Sequence, residues 1–102
     1  MWFHLTTVRL YLPNDDTVKE TLHSDEFKGF VTEYGGKASY VLECPENSAE
    51  FNFLTLWDRE EDAEAFFEGE EFLQFSDEIR PHLIAPLCQR RYEVMVEEPM
   101  LV

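Results

Sequence analysis

The stretch from Phe51 to Leu83, FNFLTLWDREEDAEAFFEGEEFLQFSDEIRPHL, changes its period once, at Trp57 and Asp58, and that change limits what the whole chain can become. From Phe51 to Trp57, the residues Phe51, Phe53, Thr55 and Trp57 alternate with positions that include Leu54 and Leu56, so both sides of a strand are largely apolar. After Asp58, Ala63, Phe66 and Phe67, then Phe72, Phe75, Ile79 and Leu83, step by three and four as one helix face does. Gly69 divides this pattern into two short helices. The acids Asp58, Glu60, Glu61, Asp62, Glu64, Glu68, Glu70 and Glu71 fill the other positions. Asp58 with Glu61 predicts a capping-box variant at the helix start.

The rest of the chain supplies the partners of this stretch. Residues Trp2 to Leu12 predict a first strand, with His4, Thr6, Val8 and Leu10 on one side and Phe3, Leu5 and Thr7 on the other. Pro13, Asn14 and Asp15 end it. A helix from Asp16 carries Val18, Leu22, Phe27, Phe30, Val31 and Tyr34 on one face and stops at Gly35 and Gly36; Ser24 and Asp25 fall midway, where one continuous helix and a split into two are both open. Lys37 to Glu43 is a second strand, and Pro45 to Ser48 joins it to the third as a hairpin. Pro81 and Pro86 bracket the passage to a last strand, Leu87 to Val96. Pro99 ends that strand ahead of an apolar tail, Met100 to Val102.

Strand, helix, strand, strand, helix, strand is the α+β, ferredoxin-like βαββαβ order, with an antiparallel sheet in a single domain spanning residues 1–102. Helices cover one face of such a sheet, and the other face of a monomer is normally polar. Here the strands are apolar on both sides. A second sheet over the free face, that of an identical subunit, is therefore expected: a homodimer by sheet-on-sheet packing.

Composition excludes several functions. With 22 acidic against 8 basic residues the formal charge is -14, which repels a phosphate backbone, so no nucleic-acid partner is expected. The acid excess fits a halophilic source, a basic partner or simply a solvated surface. Cys44 and Cys88 form neither a disulfide framework nor a CxxC pair, consistent with a cytoplasmic, reducing setting. Neither a signal peptide nor a membrane span is expected. No zinc spacing joins His4, His23, His82 and the cysteines, so no metal is expected. No Gly-x-Ser-x-Gly elbow is present.

Two positions suit chemistry on a small molecule. Trp57, at the end of a central strand, suits stacking on a flat ligand at a cleft mouth, with Phe53 as a wall; its alternative is plain core packing. His4, on a mainly apolar strand face, suits proton abstraction from a phenol or activated carbon acid, because its ordinary pKa lies near neutrality. Its alternative is a satisfied core histidine. Tyr40 adds a polar contact and Phe66 an apolar one from the helix. His82 sits at a helix end, where a cation favours the dipole.

The run WDREEDAEAFFEGEEFLQF, a Trp closing an apolar strand before an acidic helix start and a Phe-rich second turn, resembles the antibiotic biosynthesis monooxygenase family of dimeric α+β barrels. That family usually has Ser or Thr where Arg59 stands. The resemblance implies a homodimeric barrel with a pocket for a flat aromatic molecule of quinol or anthrone type. It also implies cofactor-independent oxygenation, in which the deprotonated substrate itself reduces oxygen. Haem-degrading relatives use a Trp and a His whose places fall on Phe66 and Ser76 here, so haem degradation is disfavoured and no cofactor is expected. The rival reading is a non-catalytic binding or assembly module on the same scaffold.

Overall fold

The computed structural model describes residues 1–13 and 15–95. Asn14 and the segment with Val96, Pro99 and the Met100 to Val102 tail lie outside the described residues. The elements are β1 (Trp2–Arg9), α1 (Asp16–His23), α2 (Asp25–Glu33), β2 (Gly36–Glu43), β3 (Glu50–Trp57), α3 (Glu60–Glu68), α4 (Glu70–Ile79), a 3-10 turn (Arg80–His82) and β4 (Cys88–Glu93). The sheet order is β2-β3-β1-β4. Every neighbouring pair is antiparallel, as the βαββαβ reading requires.

Local chemistry accounts for the breaks. Asp15 caps α1 by accepting a hydrogen bond from the Thr17 amide at 3.1 Å. Ser24 ends α1 and begins α2 at once. Its backbone is extended, its hydroxyl donates to the Thr21 carbonyl at 2.7 Å, and its oxygen accepts from the Phe27 amide at 3.2 Å. Of the two arrangements left open by the sequence, the split is therefore the one that forms. Gly35, with φ of 101°, supplies the left-handed turn that leads α2 into β2.

Besides one-residue offsets at the starts of β2 and β3, boundaries at α3, β1 and β4 differ from the sequence reading. The capping box at Asp58 does not form: Arg59 is the N-cap of α3 and makes no side-chain cap bond. Asp58 instead meets Lys37 at 3.2 Å, and the acids Glu60, Glu61 and Asp62 favour the first turn through the helix dipole. β1 ends at Arg9 rather than Leu12, because Leu10 bridges to Leu83 and the Tyr11 amide bonds the His82 carbonyl at 3.0 Å. That pairing draws the chain towards the 3-10 turn and leaves Tyr11 and Leu12 exposed. β4 begins at Cys88, one residue after Leu87, and is described as strand to Glu93.

The register separates the two faces of the sheet. His4 lies opposite Thr55, Thr6 opposite Phe53 and Val8 opposite Phe51, all buried under the helices with Trp57. There they meet Val18, Leu22, Phe27, Val31, Phe66, Phe72, Phe75 and Ile79. On the other face the rows Ala38, Leu56, Phe3, Tyr92 and Tyr40, Leu54, Leu5, Arg90 cross all four strands. A shortest dimension of 22 Å is that of two layers, one helical and one sheet.

Candidate functional site

Among the described residues, His4 is the buried polar side chain with an atom that no protein group hydrogen-bonds. It is 8% exposed, and its Nε2 is buried with no hydrogen-bond partner. A buried polar atom with no protein partner costs about 1–3 kcal/mol unless water or a ligand atom meets it, which makes His4 the candidate here. Its ring lies on that of Phe67, with centroids 5.1 Å apart and planes at 18°. Burial first, and then the Arg91 guanidinium, push its pKa below the ordinary 6.5, with Glu64 opposing. At neutral pH the imidazole is neutral, the form able to accept a proton.

Two cavities adjoin at Phe67 and Gln89, and His4 lines the smaller of them. One of about 300 Å³ is lined by His4, Glu64, Phe67, Glu68, Gln89, Arg90 and Arg91. The second, about 540 Å³, lies between α4, the Leu83 to Leu87 connection and the start of β4, with Phe72, Leu73 and Leu83 among its walls. Phe67 and Gln89 belong to both. The result is a groove, polar at the His4 end and apolar at the other, within the size range of small-molecule sites.

The structure separates the residues named from sequence. Trp57 is fully buried; its indole N–H donates to Thr55 Oγ1 at 2.8 Å, and its ring packs 5.5 Å from that of Phe66. Phe53 and Phe66 are 1% exposed and both take the edge of Phe27. These three rings belong to the hydrophobic core and line neither cavity. Tyr40 is on β2, on the opposite face of the sheet from His4. His4 is therefore the one of the five that the groove contains. His82 does more than end a helix: its Nδ1 lies 2.8 Å from Asp15 Oδ2, tying the 3-10 turn to the cap of α1.

Phe67, Phe72, Leu73, Leu83 and Gln89 went unrecognised as groove residues. Phe67 immediately follows the core residue Phe66, and that adjacency is the available signal: consecutive helical positions point about 100° apart, so Phe67 packs at the edge of the core and also lines the cavities. Among the described residues, no group of three or more His, Cys, Asp or Glu could hold a metal ion. Nor is any described helix long and apolar enough to cross a membrane. Cys44 and Cys88 are free thiols.

The two-layer fold, with its groove beside β4, defines an α+β protein of ferredoxin-like topology, and solved structures share it closely. A candidate antibiotic biosynthesis monooxygenase of Deinococcus radiodurans superposes with a TM-score of 0.85 over 100% of both chains at 15% identity. One from Nitrosomonas europaea gives 0.79 over 94% of this chain and 100% of its own at 16% identity. SnoaB of Streptomyces nogalater, a cofactor-independent oxygenase, gives 0.79 over 97% of each chain at 8% identity. No family model matches the sequence, and no curated protein matches it. The likeness is one of fold, and it is the fold that the resemblance implied.

Proposed function

We propose that this protein binds a flat, largely apolar aromatic molecule of quinol or anthrone type in the groove between α3, α4 and β4, and oxygenates it without a cofactor. The observation that carries this reading is His4: a neutral, unpartnered imidazole nitrogen at the polar end of a mostly apolar groove. The ligand O–H or activated C–H gives its proton to Nε2 and keeps the electron pair. The resulting anion passes one electron to dioxygen; recombination of the pair and loss of water leave a carbonyl on the ligand and restore the imidazole. Burial by itself makes the imidazole a weaker base, but the ion pair that forms with the substrate anion offsets that cost, and the Arg91 guanidinium is near enough to favour the anion. SnoaB, described as a cofactor-independent oxygenase, supports the assignment by likeness of fold. Trp57, Phe53 and Phe66 then serve the hydrophobic core.

The functional unit in this reading is a homodimer in a reducing cytoplasmic setting. Phe3, Leu5, Leu54 and Leu56 are half-buried on a sheet face that no element among the described residues covers, and Tyr40, Leu42 and Tyr92 are exposed beside them. A twin sheet laid across this face hides them all. A non-catalytic binding module is the second reading. It is favoured by the packing of Phe66, Phe72 and Phe75, whose rings fill the space beneath the helices.

Oxygen uptake with a panel of quinols and anthrones, alongside direct binding of the same compounds, tests both. Uptake that is lost in His4→Gln while binding persists is expected. Binding with no uptake makes the protein a module, and the absence of both sinks the groove as a site.

A further inference from the structure

The Nε2 of the proposed base is buried in the state described, and the side chain of its cross-strand neighbour Arg91 reaches from β4 to α3 beside it. β4 is an edge strand, exposed along its whole length and paired to β1 alone. Among the described residues, Arg91 is the one residue of β4 whose side chain hydrogen-bonds the helical layer. It is the cross-strand partner of His4, on the same face. From there its guanidinium reaches α3, donating to Glu60 and, at 3.1 Å, to Glu64. The span runs along the 300 Å³ cavity that His4, Arg91 and Glu64 line together.

We propose that Arg91, gripped by Glu60 and Glu64, is a latch on the His4 cleft: it ties edge strand β4 to α3, and its release is the step that admits a ligand to Nε2. The groups facing His4 make this the natural opening. Thr55 of β3 stands opposite it in the sheet, Phe67 of α3 covers one face of its ring, and the charged residues of the cavity are Arg90 and Arg91 on β4 with Glu64 and Glu68 on α3. Thr55 and Trp57 are sealed in the core, whereas the Arg91 side chain is 57% exposed. Ion pairs this exposed are weak and are screened by salt, as a closure that must open requires. The two halves of the latch also push the imidazole pKa in opposite directions, Arg91 down and Glu64 up.

The ligand's path rests on the function proposed above, but the latch can be tested without any ligand. Diethyl pyrocarbonate modifies neutral histidines, and peptide mass mapping reports His4, His23 and His82 separately at neutral pH. Wild-type His4 is expected to react much more slowly than the exposed His23. In Arg91→Met, and in the doubly neutralised Glu60→Gln with Glu64→Gln, His4 alone should react roughly two- to tenfold faster, the range that a pair of exposed ion pairs supplies. Arg91→Lys should restore most of the protection, and added salt should speed His4 in the wild type. An unchanged His4 rate in both neutralised variants overturns the latch, as does an equal rise at all three histidines, which signals general loosening. A lack of oxygenase activity leaves these rates untouched, so the two proposals fail separately.

Discussion

At the scale of single residues, burial separates chemistry from packing. Trp57 and His4 both looked like site residues, yet Trp57 has its one polar group satisfied by Thr55 and His4 does not. Trp57→Ala should therefore act on stability, costing about 3–5 kcal/mol as a large buried ring does; a shift in the urea midpoint checks it, where loss of ligand affinity at unchanged stability would restore it to the site. His4 has the opposite signature. Its folded pKa lies below the ordinary 6.5, so between these values the unfolded chain holds a proton that the folded chain does not. Its contribution to stability is whole above about pH 6.5 and is lost as pH falls from there through the folded value. In His4→Gln that part of the acid loss should vanish, seen as a flatter difference between variant and wild-type urea midpoints across this window.

Elements are held by their ends as much as by their faces. Ser24 serves two short helices with one hydroxyl, accepting from the Phe27 amide and donating to the Thr21 carbonyl. Ser24→Ala removes both bonds and should cost about 0.5–2 kcal/mol, the range for loss of an N-cap, measured as a fall in thermal midpoint. α3 differs in having no side-chain cap, and it relies on its acidic first turn. β2 begins against the end of α2 so tightly that a Cβ on Gly36 would sit 2.3 Å from Val31 Cγ1 and 2.8 Å from the Val31 carbonyl oxygen. Gly36→Ala should cost about 1–3 kcal/mol through overpacking, read from the same midpoint.

At the scale of the whole molecule, the described residues form a two-layer slab with one sheet face that none of them covers. Leu54 stands near the middle of that face, between Leu5 and Tyr40 in the register. Leu54→Arg should leave the single chain folded, because the side chain already meets solvent there, but should put an unpaired charge into a sheet-on-sheet interface. Light scattering is expected to give twice 12.1 kDa for the wild type and 12.1 kDa for the variant. A wild-type monomer would remove the dimer from the proposed function, while leaving the groove, which lies on the other side of the sheet.

The order of elements, the candidate break at Ser24, the core rings and the apolar second face were legible in the chain itself. Each follows from a local rule: a period of two or of 3.6, a capping hydroxyl, a glycine where the backbone turns left-handed. The candidate site was legible only at His4. Its neighbours come from elements far apart in sequence, Phe67 on α3 and Gln89 and Arg91 on β4, and no periodicity tells which of two adjacent phenylalanines fills the core and which faces a groove. Whether a buried polar atom finds a partner depends on how the layers meet. Tertiary packing alone gave the Trp57 indole its partner in Thr55, gave the His4 Nε2 no protein partner, and carried Arg91 from β4 to Glu60 and Glu64 of α3.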